Sequence, residues 1–132
     1  MRRILLVALP VIVVIFAGCG EDSGVTSLEG TWVGSGSGYN SGVYEERTAK
    51  LVITEVREDE NVFVGYKQIS SEGEPFGPRE IIQGAVGTDG RIFITDEDGF
   101  ILFELSEDTL EGQYLETGKK DGTVKNYKLV RE

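Results

Sequence analysis

The feature that most constrains the fold is a run of short apolar and aromatic segments separated by turn residues. Eight segments rich in Val, Ile, Phe and Tyr are predicted as β-strands. They span residues 30–39, 46–57, 62–70, 79–86, 91–96, 100–105, 109–117 and 123–131. Asp89-Gly90, Asp98-Gly99 and Asp121-Gly122 stand between strands, and Asp-Gly favours tight hairpins because both residues accept positive φ. After the N-terminal region no segment has the 3.6-residue period of a helix.

Links as short as these join antiparallel neighbours, so the eight strands form a meander. An up-and-down barrel is the predicted fold, because closure removes the two free edges of an open meander. A β-sandwich is the alternative. Alternation along the strands predicts one inward-facing set. Its members are Leu51, Ile53, Ile82, Gly84, Val86, Ile92, Ile94, Ile101, Phe103, Leu105, Leu110, Gly112, Tyr114, Tyr127, Leu129 and Arg131.

The N-terminus has the three parts of an export signal. Arg2 and Arg3 give a positive start, residues 4–16 are apolar apart from the break at Pro10, and small residues follow. Residues 4–18 are only 15 uncharged positions, which is short of the roughly 20 that a membrane-spanning helix needs. The pattern therefore favours a cleaved signal peptide over a transmembrane anchor.

Phe16-Ala17-Gly18-Cys19 resembles the lipobox of prokaryotic lipoproteins, with Phe16 where an aliphatic residue is usual. The resemblance implies cleavage before Cys19 and a diacylglyceryl group on its sulfur, which would hold the exported chain to the membrane. Gly20, rather than Asp, implies the outer membrane in a host with two membranes. The predicted organisation is a signal peptide at 1–18, a flexible tether at 19–27 and a β-barrel domain at 28–132.

Composition excludes several classes of function. Loss of Arg2 and Arg3 would leave 11 basic and 23 acidic residues, a net charge of −12, so nucleic acid is not an expected partner. The chain has no histidine, and Cys19 is its only thiol. Catalysis by Ser-His or Cys-His and metal binding by His or Cys are therefore excluded. We expect no enzymatic activity, no catalytic residues, no metal and no cofactor.

Gly30-Thr31-Trp32 opens the first predicted strand, and here the chain resembles the calycin superfamily, the lipocalins and avidins. The resemblance implies that Trp32 plugs one end of a barrel and that a basic residue of the last strand packs across its ring. Arg131 is the candidate, and such a cation–π contact is worth on the order of 1–2 kcal/mol. The alternative is that Trp32 is an ordinary core aromatic residue of a small β-domain.

Three further segments are assigned structural roles. The glycine-rich stretch 34–38 lacks the following helix and Lys-Ser or Lys-Thr of a phosphate-binding loop, so it is predicted as a curved strand or rim loop. The acidic stretch 96–99 is predicted as a solvated hairpin turn rather than a calcium site. Residues 72–78 contain Pro75 and Pro78 and are predicted as a connector over one barrel mouth, with Phe76 exposed or folded in as a lid.

These predictions leave two leading functions. The first is a membrane-anchored binding module whose barrel takes a small apolar ligand. The second is a protein–protein module of the cell envelope with a filled barrel and no ligand. Eight strands stand at the border between filled and hollow barrels: large inward side chains such as Phe103 favour filling, and inward glycines favour a cavity. A hydrolase that uses carboxylates ranks last, because no motif in the sequence identifies a pair of catalytic Asp or Glu residues.

Overall fold

A computed structural model describes residues 24–117 and 121–132 of the chain. Eight antiparallel strands, hydrogen-bonded in chain order, close into a single barrel, which confirms the predicted up-and-down barrel over the sandwich. The strands are β1 (Gly30–Asn40), β2 (Val43–Arg57), β3 (Val62–Ser70), β4 (Glu80–Val86), β5 (Ile92–Thr95), β6 (Gly99–Ser106), β7 (Thr109–Glu116) and β8 (Thr123–Arg131).

The predicted signal peptide, Cys19 and the first part of the predicted tether lie outside the described residues. Within residues 24–117 and 121–132, no helix is long and apolar enough to cross a membrane.

The observed strand ends differ most from prediction at the first hairpin. β2 begins at Val43 instead of residue 46, and β1 continues to Asn40. The two strands are joined by Ser41 and Gly42, which both have positive φ, at 48° and 80°. Such a two-residue turn matches the twist of the flanking strands. The polar residues around the turn favoured a longer loop. In the structure the backbone pairing of β1 with β2 continues up to the two turn residues.

Closure occurs between β1 and β8. Trp32 is paired with Leu51 of β2 on one side and with Arg131 of β8 on the other. Four residues along β1, Gly36 is paired with Tyr127, and a Cβ at Gly36 would overlap the Tyr127 ring. The glycine therefore allows a large aromatic ring to lie across the inner surface of β1.

The barrel interior is filled by side chains from alternate positions. Most of the predicted inward residues are buried, namely Leu51, Ile53, Ile82, Ile92, Ile94, Ile101, Phe103, Leu110, Tyr114, Tyr127 and Leu129. Val86 and Leu105 pack against this core from its margin. Burial of each large side chain stabilises the fold by about 1.5–3 kcal/mol.

A short 3₁₀ turn, Val25–Leu28, covers one end of the barrel. Val25 and Leu28 are each only 1% exposed, because residues three apart in such a turn lie on the same side. The prediction of a flexible tether over 19–27 does not describe this turn. The segment is rich in small and polar residues, and its two apolar side chains are too few to give a periodic signal.

Candidate functional site

The end of the barrel beneath the 3₁₀ turn is closed. Trp32 has no exposed surface, and its Nε1 donates a hydrogen bond to the carbonyl of Leu28 at 2.9 Å. Cζ of Arg131 lies 4.1 Å from the centroid of the Trp32 ring. The structure thus brings together the two residues that the sequence proposed for barrel closure.

Arg131 also ties together three segments at this closed end. Its Nη1 donates to the carbonyl of Glu29 at 2.9 Å, and its Nη2 donates to the carbonyl of Ser27. Its Nε lies 3.0 Å from the carboxylate of Asp108, in the turn between β6 and β7. The planar guanidinium has donors for all three contacts, so one side chain holds the 3₁₀ turn against the barrel.

The opposite end, which we call the mouth, contains charged side chains inside the barrel. Lys67 of β3 is paired with the carboxylate of Asp96 and lies 3.0 Å from that of Glu80. Its ammonium is also 4.6 Å from the centroid of the Tyr114 ring. The Asp96 side chain is 1% exposed and accepts hydrogen bonds from the backbone N–H groups of the 96–99 turn. The turn forms as predicted, but Asp96 is not solvated.

A second cluster of charged side chains lies at the same end of the barrel. Lys125 of β8 is paired with Glu45 of β2, and Glu45 also lies 2.6 Å from the guanidinium of Arg47. Arg47 donates further to the hydroxyl of Ser71. We call Glu45, Arg47, Lys67, Asp96 and Lys125 the mouth network. Among the described residues, no buried side-chain nitrogen or oxygen lacks a hydrogen-bond partner.

The mouth network shifts the acidity of its members. Hydrogen bonds from Arg47 and Lys125 lower the pKa of Glu45 to about 2, and Glu45 in turn raises the pKa of Arg47. Burial works to raise the pKa of Asp96, but Lys67 and two backbone N–H groups outweigh it and lower that pKa. Both carboxylates are therefore ionised at neutral pH, so the network consists of true ion pairs.

Two core tyrosines, Tyr114 and Tyr127, lie beside the mouth network. Burial, reinforced by nearby carboxylates, raises the pKa of Tyr114, and burial raises that of Tyr127 to about 12. Both phenols keep their protons at neutral pH and remain hydrogen-bond donors. The hydroxyl of Tyr114 lies 3.2 Å from the carboxylate of Glu116.

Below the mouth network lies an apolar cup with a cavity of about 20 Å³. Its lining includes Ala49, Leu51, Ile101, Phe103, Tyr127 and Leu129. A cavity of this size holds about one water molecule, whereas pockets for drug-sized ligands measure roughly 300–1,000 Å³. The interior is therefore filled as it stands, and any larger occupant must displace side chains.

Other predicted features take no part in the mouth. Phe76 is exposed on the outer surface, where the ammonium of Lys50 is 5.6 Å from its ring centroid. Of the two predicted alternatives, the structure therefore has the exposed ring and not the lid. Residues 34–38 form part of β1, as the curved-strand prediction requires. In the described ranges, no group of three or more acidic, His or Cys side chains is arranged to hold a metal ion.

The mouth network was not predicted from the sequence, although the alternation of the strands carries a signal for it. Lys67 has the same parity as the buried Phe63, and Lys125 has the same parity as Tyr127 and Leu129. An inward lysine near the end of a barrel strand is therefore predictable from parity. Its acidic partner is not, because Asp96 is 29 residues from Lys67 and Glu45 is 80 residues from Lys125.

Comparison with known proteins places the chain in a structural class. The eight-stranded antiparallel barrel is lipocalin-like in fold. It is similar to a solved structure described as an S-type phycobiliprotein lyase, CPES, from Guillardia theta. The superposition covers 82% of this chain and 90% of that chain, with a TM-score of 0.54 and 13% sequence identity. At this identity the likeness shows the fold alone. No family model and no curated protein matches the chain.

Proposed function

We propose that the chain is an exported lipoprotein, held to a membrane through lipid on Cys19, whose barrel is a binding module. The ligand is small and mostly apolar, and it enters at the mouth. The lipobox resemblance at Phe16-Ala17-Gly18-Cys19 supports the anchor, and the lipocalin-like barrel supports the binding role. The proposed function is binding without catalysis. The word lyase describes the similar solved structure and is not assigned to this chain.

The observation that carries the binding role is the asymmetry of the barrel interior. The closed end is filled by apolar side chains, whereas the mouth contains five charged ones. Taking charges out of water is costly, and well-packed apolar residues in place of buried ion pairs are often neutral or stabilising. A barrel that needed only a filled interior would gain nothing from such a mouth. Charged groups above an apolar cup instead suit a ligand with an apolar body and a polar end.

Entry of a ligand requires local rearrangement. The cavity of about 20 Å³ must grow. The lining residues that belong to the mouth network or lie beside it are Lys67, Tyr114 and Tyr127. The apolar part of the ligand would take the place of these three side chains against the residues of the cup. Its polar end would then meet Lys67 or Lys125, each of which carries three N–H donors.

Native mass spectrometry of the full-length chain, purified in detergent from its own host, tests this function. We expect the wild-type chain, without substitutions, to retain a small molecule. Ala49→Leu, which adds side-chain volume to the cup, should abolish retention. Ala85→Leu, on β4 away from the cup, is the matched control and should keep it. A chain that carries no small molecule, or that keeps one in Ala49→Leu, would contradict the proposal.

The second candidate is the envelope protein–protein module with a filled barrel. The cavity of about 20 Å³ is the specific observation in its favour, because it leaves no preformed space for a ligand. Under this function the outer surface is the working part of the molecule, and filling the cup with Ala49→Leu should leave partner binding unchanged.

A further inference from the structure

The described chain begins at the closed end of the barrel. Val25 and Leu28 of the 3₁₀ turn are buried against this end. Hydrogen bonds from the side chains of Trp32 and Arg131 to backbone carbonyls of the turn hold it in place. Gly24, which precedes the turn, lines a surface groove beside the turn between β4 and β5. The chain therefore leaves the barrel toward its N-terminus from the closed end and not from the mouth.

Only a short segment separates this point from the proposed lipid. Gly24 is five residues from Cys19. An extended chain spans at most about 3.6 Å per residue, so the segment reaches no more than about 18 Å. Under the proposed function, the lipid on Cys19 lies in the bilayer. The closed end is then held within about 18 Å of the membrane surface.

The barrel is taller than this segment is long. β1 runs from the closed end to the mouth over 11 residues, which span about 33 Å. Strands of a barrel tilt by about 35–45° from its axis, so the two ends of β1 differ in height by about 23–27 Å. The turn of residues 41–42 extends beyond β1 at the mouth. If the mouth faced the bilayer, Gly24 would lie farther from the membrane than the segment can reach.

Charge does not favour one end over the other as the membrane-facing end. The turn between β2 and β3, at the closed end, contains Glu58, Asp59 and Glu60. The turn between β5 and β6, at the mouth, contains Glu97 and Asp98. Both turns are acidic, so an anionic lipid surface would repel either of them. The length of the segment from residue 19 to residue 24 therefore decides the orientation.

We propose that this short segment holds the barrel with its closed end toward the membrane and its mouth facing away from it. The inference rests on the lipid anchor and the mouth of the proposed function, and it adds the direction from which a ligand comes. A ligand that enters at the mouth arrives through the aqueous compartment, because the mouth does not open onto the bilayer that holds Cys19. A protein that exchanges ligand with this barrel would meet it on the side away from that membrane.

Single cysteines on the full-length lipidated chain test this orientation, because a lipidated Cys19 has no free thiol. Ser41→Cys and Glu97→Cys place a thiol in two mouth turns that lie four strands apart, on opposite sides of the barrel. Asp59→Cys places one in a turn at the closed end. All three positions are exposed, so the substitutions should leave the fold intact.

Each variant is added to phosphatidylcholine vesicles in which a minority of the lipids carry a maleimide on the headgroup. Its reaction rate is divided by its rate with a water-soluble maleimide, which corrects for the reactivity of each thiol. We expect this ratio to be at least about tenfold higher for Asp59→Cys than for either mouth variant, because a linker that cannot span two sites gives an effective concentration near zero.

A longer segment is the control. Insertion of about twenty Gly and Ser residues between Ser23 and Gly24 gives the segment an average reach of about 25–30 Å. The mouth thiols can then meet the bilayer, and their ratios should come within about threefold of that of Asp59→Cys.

Two results would overturn the orientation while the anchor stands. One is a mouth thiol that reacts with the lipid maleimide as fast as Asp59→Cys, which would mean that the barrel lies on its side or is inverted. The other is an insertion variant whose ratios do not change, which would mean that the segment does not set the orientation. The anchor itself fails if the wild-type chain does not float with the vesicles or if its Cys19 reacts with the soluble maleimide. That result would overturn both proposals, and it is distinguished from the first two because it needs no introduced cysteine.

Discussion

The two ends of this barrel are built from the same eight strands by opposite chemistry. At the closed end Trp32, Leu28 and Val25 exclude water, and Arg131 contacts the Trp32 ring from the margin. At the mouth the interior is occupied by the ion pairs of Glu45, Lys67, Asp96 and Lys125. The closed end therefore depends mainly on apolar burial, while the mouth depends on the ionisation of its carboxylates.

The two ends contribute differently to the stability of this small barrel. Burial of apolar surface is the main favourable term in folding. This burial is concentrated at the closed end and in the barrel interior next to it. Buried ion pairs contribute little net stability but are costly to disrupt. Under the proposed function a ligand would enter at the mouth, where it would have to replace the contacts that Lys67, Tyr114 and Tyr127 make with the cup.

The largest effect is expected from removing the plug of the closed end. Trp32→Ala should lower the free energy of unfolding by about 3–5 kcal/mol, because it deletes the largest fully buried side chain and leaves a cavity. Urea denaturation monitored by circular dichroism measures this change. Phe76→Ala, which truncates an exposed aromatic residue outside the barrel, is the control and should cost well under half as much. If the two variants lost the same amount of unfolding free energy, the closed end would not be the main source of stability.

The next effect concerns an unpaired charge in the mouth. Lys67→Met should destabilise the fold by about 3 kcal/mol, because it leaves the buried carboxylate of Asp96 without its cation. The double variant Lys67→Met with Asp96→Asn should recover most of the loss, since it removes the uncompensated charge. Urea denaturation of both variants checks the difference. A double variant as unstable as the single one would show that packing of the lysine, not its charge, holds the mouth.

A smaller effect is expected at the contact between Arg131 and Trp32. Arg131→Ala should cost about 1–2 kcal/mol through the lost cation–π contact and aliphatic packing. Because Trp32 is the only tryptophan, its fluorescence emission reports on the closed end alone and should shift. Arg91→Ala changes an exposed arginine whose partner among the described residues is Asp89, and it should change neither quantity. Unchanged emission in Arg131→Ala would contradict the closure contact.

The closed end was more predictable from sequence than the mouth. The calycin resemblance at Gly30-Thr31-Trp32, together with the inward parity of Arg131, predicted the Trp32–Arg131 contact, and short turns with Asp-Gly indicated the order of the strands. Both signals are local or rest on parity. Pairing of Lys67 with Asp96 depends instead on which strand ends meet in the closed barrel, and aspartate in a turn carries the same local signature whether it is solvated or buried.

The 3₁₀ turn marks a second limit of sequence reasoning. Val25 and Leu28 become core residues only because the barrel end offers an apolar surface, which tertiary structure alone creates. A four-residue turn has too few positions for periodicity to reveal it.

The smallest expected effect is on the acid stability of the mouth. The pKa of Glu45 is about 2 in the folded protein against 4.5 for the ordinary group, so the unfolded chain takes up this proton first as the pH falls. The stabilisation from Glu45 is therefore complete above pH 4.5 and is lost between about pH 4.5 and pH 2. Glu45→Gln should flatten the pH dependence of unfolding in this window by about 1 kcal/mol, which is less than the full shift implies because water still reaches the pair. Glu46→Gln, the outward neighbour on β2, should keep the dependence of the unmodified chain. If Glu45→Gln loses stability with acid as steeply as the control, the ion pair with Lys125 does not distinguish the mouth from the closed end.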